Sequence, residues 1–276
     1  MRGEFSGRTV TITGAGSGIG RSTALLFARL GAKVHLADLD ADRVEEVRRE
    51  IEALDRRATA HVVDVSDPAA VETLAERVFG EDKAVDVLHN NAGIGHAGPV
   101  EETTLDDWQR VIAVNLLGTI YGVHFFVPRM LRQGRPGHVV NTASGAGLVA
   151  WGEMAPYCTS KFGVVGLSEA LSAELAPKGI QVTAVCPGFI DTPIVRTAIL
   201  RGGLSGRTER IGDFYRKRGA SAEVVAEAVV DAVRKRRLIQ PVPRAHVVPA
   251  WLLKRLSPRA AQAMSRRGTR LIAGRH

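Results

Sequence analysis

Apolar runs of strand length alternate along this chain with segments in which apolar residues recur every three or four positions. The runs "TVTIT" (9–13), "KVHLAD" (33–38), "TAHVVD" (59–64), "VDVLHN" (85–90), "HVVNTA" (138–143) and "IQVTAVC" (180–186) are apolar almost throughout. Strands buried on both faces of a parallel sheet carry that pattern. Between them, residues 20–30, 41–54, 68–79, 105–131 and 161–179 read as crossover helices. Breakers fall where turns belong: Gly31 closes one helix, Asp67 and Pro68 open another, and Pro177 and Gly179 close a third. With "RLIQPV" (237–242) as a last strand, the pattern predicts one doubly wound α/β domain over residues 1–240, built on a parallel sheet of about seven strands.

The rhythm breaks at 193–219, where glycines and arginines crowd together as they would in a mobile lid over a substrate site. A helix is expected at 221–236. Residues 241–276 read as a basic amphipathic extension of one or two short helices.

Charge sharpens this division. The net charge is +8, yet residues 1–192 hold 18 Lys/Arg against 24 Asp/Glu, and residues 193–276 hold 19 against 5. An acidic body with a basic extension is not the footprint of a nucleic-acid-binding domain, and no nucleic acid is expected. Three readings of the extension stay open: an oligomer contact, a weak membrane-surface helix around "WLLKRL", and a nucleic-acid contact without base-reading residues. The first residues lack a hydrophobic block of roughly 7–15 residues, and a soluble cytoplasmic protein is expected. Cys158 and Cys186 are too few for a disulfide framework and read as buried apolar residues. His89, His96, His124 and His138 have no metal-ligand spacing, so no metal is expected.

Two short stretches carry chemistry. "TGAGSGIGR" (13–21) lies between the first strand and the first helix. Its glycines at Gly14, Gly18 and Gly20 let backbone approach a pyrophosphate, while the helix offers unpaired N–H groups and the positive end of its dipole. Asp38 ends the second strand, eighteen residues past Gly20, where a carboxylate accepts hydrogen bonds from an adenosine ribose. That charge repels a 2′-phosphate, and Ser17 and Leu39 bring no cation, so NAD is expected over NADP. The second stretch, "APYCTSK" (155–161), sets Tyr157 and Lys161 one helical turn apart, with Pro156 in the first turn. A phenol and an ammonium titrate near roughly 10 and 10.4, and neither is a base at neutral pH unless the pair is coupled.

These stretches, with others, make the chain resemble the short-chain dehydrogenases/reductases of ordinary length over roughly residues 8–240. The TGxxxGIG run is Thr13–Gly20, the adenine-side acid is Asp64 in "VVDVS", and the NNAG run is Asn90–Gly93. Asn115 stands in "VNLLG", Ser144 precedes Tyr157 by thirteen positions, and "PGFIDT" (187–192) matches the PG-x-I-x-T segment.

The resemblance implies a Rossmann-type domain and a nicotinamide-dependent exchange between a secondary alcohol and a ketone. It assigns catalysis to Asn115, Ser144, Tyr157 and Lys161. Tyr157 exchanges the proton, Ser144 holds the substrate oxygen, Lys161 lowers the phenol's pKa and grips the ribose, and Asn115 holds a relay water. Cofactor contacts fall on Gly14, Ser17, Gly18, Ile19, Gly20, Asp38, Leu39, Asp64, Val65, Asn91, Ala92 and Gly93. Pro187, Gly188, Ile190 and Thr192 complete them, together with Tyr157 and Lys161. It further implies a homo-oligomer, dimer or tetramer, paired through helices around 105–132 and 156–176.

An apolar substrate wall is expected from Leu148, Val149, Trp151, Met154, Phe189 and Ile194, favouring a hydrophobic alcohol or ketone. The arginine-rich lid keeps a 3-oxoacyl-thioester reductase open as an alternative. A non-catalytic dinucleotide-binding sensor or scaffold is the rival from another class.

Overall fold

A computed structural model of the chain describes residues 3–273; residues 1–2 of the expected domain and 274–276 of the expected extension lie outside the described residues. The strands are β1 (Thr9–Thr13), β2 (Lys33–Asp38), β3 (Ala58–Val62), β4 (Val87–Asn90), β5 (His96–Ala97), β6 (Gly137–Thr142), β7 (Ile180–Pro187), β8 (Ile199–Leu200) and β9 (Ile239–Val242). Seven of them form one parallel sheet in the order β3-β2-β1-β4-β6-β7-β9, while β5 and β8 pair separately, also in parallel. This is the doubly wound Rossmann order: the chain winds outward from β1 to β3, then crosses to β4 and winds the other way. The carboxyl ends of β1 and β4 therefore part and leave a crevice.

Apolarity on both strand faces has the expected cause. Along β6, Val139 joins one core and its neighbour Val140 the other. Helices α1 (Gly18–Arg29) and α2 (Ala41–Glu52) cover one face with α8 (Ala222–Lys235), burying Phe27, Ile51, Val225 and Val229. Helix α3 (Pro68–Asp82), α5 (Gly118–Arg132) and α6 (Ala155–Leu175) cover the other with Leu74, Phe126, Met130 and Leu175. Asp67 caps α3 by accepting from Ala69 N–H, with Pro68 at the first position. Proline at 241 is tolerated because β9 is an edge strand.

The long helix expected at 105–131 is two helices joined by a π turn. Helix α4 (Leu105–Ile112) starts with a capping box between Thr104 and Asp107, and the π turn Ala113–Leu117 leads into α5. The run Leu105–Arg132 is long and apolar enough to cross a membrane by length and composition alone. Its two helices pack on α3 and α6.

Beyond the sheet, α7 (Thr208–Arg218) lies in the segment 193–219 expected as a lid, and α9 (Arg244–Leu256) and α10 (Pro258–Ala273) lie in the basic segment that follows β9. The extension folds back onto the body. Lys254 Nζ donates to Leu148 C=O (2.9 Å) and sits 4.0 Å from the centre of the Phe162 ring, and Ser265 Oγ accepts from Gly152 N–H (3.1 Å).

Two histidines inside the sheet set an acid limit on stability. His89 and His138 are buried, bonded through Nε2 to the hydroxyls of Thr142 and Thr183 (both 2.8 Å). Burial pushes their pKa values down to about 3 and about 4. In the unfolded chain both titrate near roughly 6.5, so below that pH the unfolded chain binds more protons and stability falls as pH drops. In urea unfolding the share of these two in the loss between about pH 7 and about pH 5 should be on the order of 4 kcal/mol, beyond what His61, lowered to about 4 by burial, adds. In a His138→Asn variant about half of that dependence should remain.

Candidate active site

A cavity of about 1080 Å³ opens at the carboxyl ends of the central strands and is lined by residues from β1 through α9. Its floor is the glycine turn. Gly14 has φ +64°, and a Cβ there would stand 2.8 Å from Ala92 Cα; Gly18 has φ +49°. Ser17 caps α1 in extended conformation without a side-chain bond, so the first N–H groups of the helix face the crevice uncapped. Ser17, Gly18 and Ile19 line the cavity, and Gly20 lies behind them: a Cβ there would fall 2.0 Å from Gly14 O. Gly20 therefore lets helix and turn meet and adds no cavity surface.

At one end, Gly16 N–H donates to Asp38 Oδ2 (2.8 Å) and Asp40 N–H to Oδ1 (3.0 Å). Asp40, not Asp38, caps α2 by accepting from Arg43 N–H (3.1 Å), so the Asp38 side chain is left lining the crevice. Arg43 lines the same end, with Nε 3.1 Å from Asp40 Oδ2. Sequence reasoning looked for a cation only at positions 17 and 39; one turn into α2 there is one. Asp64 and Val65 form the opposite lip, and Asp64 accepts from the Ser66 amide (2.8 Å) and hydroxyl (2.6 Å).

The run 91–93 is held from behind. Thr13 Oγ1 accepts from the amides of Asn91 (2.9 Å) and Ala92 (3.1 Å), and Asn91 Nδ2 donates to Thr13 C=O (3.0 Å). Asn91 Oδ1 accepts from the Thr142 hydroxyl (3.2 Å), which accepts in turn from neutral His89. These tethers cross β1, β4 and β6, and only the tertiary fold reveals them.

Ser144, Tyr157 and Lys161 meet at the middle of the cavity. The Ser144 hydroxyl lies within hydrogen-bonding reach of the phenol and accepts from Ala146 N–H (3.1 Å). Lys161 is 3% exposed, stands 5.8 Å from the centre of the Tyr157 ring, and donates to Thr142 C=O (2.9 Å). Burial pulls its ammonium down to about 8 and pushes Tyr157 up to about 12, with Ser144 opposing the latter. Burial thus works against the phenolate that the Tyr157–Lys161 pairing is expected to favour.

Asn115 is brought near but does not line the cavity. Its amide is taken up by protein, donating to Ile94 C=O (3.0 Å) and Ser160 Oγ (3.1 Å) and accepting from Ile94 N–H (2.8 Å). Gly93 leaves room, since a Cβ there would sit 3.2 Å from Asn115 Oδ1 and 3.4 Å from Lys161 Nζ.

Val149, Trp151, Met154, Phe189 and Ile194 form an apolar wall as expected. Leu148 does not: it is buried in a separate core with Val164, Val165 and Val247. Pro187, Gly188, Ile190 and Thr192 lie along the crevice, and Thr192 closes over Gly18, where a Cβ would meet it at 3.2 Å. His246, Val247 and Ala250 of α9 also line the cavity, so part of the basic extension is chamber wall. Cys158 and Cys186 are buried free thiols, and burial drives Cys186 up to about 12.

The family model for short chain dehydrogenase matches residues 8–200. The probable oxidoreductase EphD of Mycobacterium tuberculosis is 40% identical, with 96% of this chain and 46% of the relative covered. The chain thus spans about half the length of that relative. Cyclohexanol dehydrogenase of an Acinetobacter species is 40% identical over 71% of this chain and 78% of its own. Among solved structures, a short chain dehydrogenase/reductase from Burkholderia phymatum in complex with NAD superposes with a TM-score of 0.86 at 32% identity, covering 91% of this chain and 94% of the other.

The lid is latched. Its strand β8 pairs with β5, and Arg201 Nε and Nη2 bond both oxygens of buried Asp107 (2.8 and 2.7 Å). These bonds hold the Asp107 carboxyl well below the usual range. Arg201→Ala should open 196–207 to trypsin several-fold faster than in the parent chain, read by limited proteolysis and mass spectrometry.

Proposed function

We propose that this chain, which belongs to the short chain dehydrogenase family, is an NAD-preferring oxidoreductase interconverting a hydrophobic secondary alcohol and its ketone. The observation that carries the reading is the meeting of Ser144, Tyr157 and Lys161 in the cavity that also receives the uncapped start of α1. A dinucleotide fits this crevice: backbone lies bare at Gly14 and Gly18, N–H groups face a pyrophosphate, and Asp38 faces a ribose. When bound, the nicotinamide takes or returns hydride at the carbon that bears the reacting oxygen.

The chain's own residues do the rest. Ser144 donates to the substrate oxygen and fixes it beside Tyr157, whose hydroxyl gives or takes the proton. Bringing a phenol from about 12 to near 7 requires about 7 kcal/mol of preference for phenolate. Lys161 would contribute to this across the low-dielectric cleft, and the positive charge of an oxidised nicotinamide, when bound, would add to it. Lys161 also holds the ribose, and Asn115, by bonding Ile94 and Ser160, positions α6 against the 91–94 loop. The Asn115 amide and main-chain carbonyl are both taken up by protein, the carbonyl accepting from Thr119 Oγ1 (3.0 Å), so Asn115 acts in this reading through position.

Asp38, fixed by two amides, supports NAD over NADP. The apolar wall and the likeness to cyclohexanol dehydrogenase support a hydrophobic cyclic alcohol or ketone. Assembly as a dimer or tetramer follows the family reading. Two buried free thiols suit a reducing cytoplasm, and a weak contact of the basic extension with anionic membrane remains part of the proposal.

Tyr157→Phe should lower NAD-dependent oxidation of cyclohexanol by roughly a thousandfold. Cofactor affinity, read by tryptophan quenching, should stay within a few-fold; undiminished turnover would remove Tyr157 from the reaction. Asp38→Ser should raise the ratio of kcat/KM with NADP to that with NAD by at least about tenfold, because a like-charge clash is relieved beside Arg43. An unchanged ratio would show that Asp38 does not choose the cofactor.

A further inference from the structure

Tyr215 has no part in the chemistry above. It comes from α7 of the lid and lines the cavity with Phe189, Phe214 and His246. Its ring is clamped by edge contacts, 5.6 Å to Phe189 and 6.0 Å to Phe214, and Phe189 also faces the His246 ring at 6.1 Å. Three chain segments therefore fix where the phenol points. Its hydroxyl has no hydrogen-bond partner among the described residues. That hydroxyl faces the cavity and is free to bond an oxygen of a molecule held there.

The Tyr215 and Tyr157 phenols also feel one another: burial raises both, and the charge of an ionised Tyr215 would make Tyr157 harder to ionise. Tyr215, from α7, and Tyr157, from α6, line the same cavity of about 1080 Å³, so both face a small molecule held there. Phe189 and Phe214, 5.4 Å apart, line it with them and make it apolar beside Tyr215.

We propose that Tyr215 is a specificity-determining residue: its hydroxyl bonds a second oxygen of the substrate, selecting cyclic alcohols and ketones that carry another hydroxyl or carbonyl. The inference rests on the dehydrogenase reading, and the oxygen at Tyr157 reacts while the oxygen at Tyr215 only binds. Because α7 supplies the contact, substrates without a second oxygen are held by the apolar wall alone.

The test uses the full chain with NAD, cyclohexanol and the three cyclohexanediols, comparing the parent with Tyr215→Phe. Phenylalanine keeps the ring contacts and removes only the hydroxyl. The parent should favour at least one diol over cyclohexanol. In Tyr215→Phe, kcat/KM for that diol should fall by about tenfold or more, chiefly through KM, with cyclohexanol changed by less than about twofold. A parent without preference for any diol, or a variant that loses diol and cyclohexanol equally or neither, overturns the role of Tyr215 while leaving the dehydrogenase reading intact. Absence of oxidation of all four alcohols by the parent counts against the cyclic-alcohol reading itself and removes this inference with it.

Discussion

The hydrogen bond from Lys161 to the Thr142 carbonyl organises this protein's centre. An ammonium that is 3% exposed needs acceptors, and the one it finds is the last carbonyl of β6. The bond ties α6 to the sheet at the place where Tyr157, one turn earlier, reaches the cavity. The Thr142 hydroxyl then continues the chain of contacts to Asn91, and Asn91 to the glycine turn. The glycine turn and the Tyr157–Lys161 pair thus share one polar network running across three strands, and a displacement at either end is felt at the other.

Burial sets the electrostatic character of the pair at its centre. Burial drives acid and base toward their neutral forms, Tyr157 to about 12 and Lys161 to about 8. The protein alone holds a quiet pair. A positive charge arriving in the cleft changes the balance for both, since it favours phenolate and disfavours ammonium.

Local chemistry was legible in the sequence and long-range chemistry was not. Gly14 and Gly18 announce a backbone turn, Asp38 ends an apolar run, and Tyr157 and Lys161 sit at helical spacing; each is a statement about neighbours within a few positions. Seven strands were legible for the same reason, including β9, whose Pro241 an edge position tolerates. What failed to show was distance-dependent. Leu148 carries the right chemistry but turns into a core with Val247. Arg43 reaches the crevice because α2 starts beside Asp38. Asn115 sits on a π turn, and nothing in "VNLLG" says that Ile94 and Ser160 take up its amide. The His89–Thr142–Asn91 line joins residues up to 53 positions apart, which periodicity cannot register. The mobile lid read from Gly and Arg content is, in the fold, pinned through Arg201 to Asp107.

Helix α9 has two unlike sides. His246, Val247 and Ala250 look into the chamber, while Leu252 and Leu256 are 50% and 85% exposed. It follows the edge strand of the sheet, so no further strand depends on its register. Val247 also packs with Ala184 and Cys186 of β7, so a substitution there reaches the sheet, whereas His246 and Ala250 stand outside that core. Those two positions, on a helix that follows the last strand, give divergence of substrate range a low-cost place to begin.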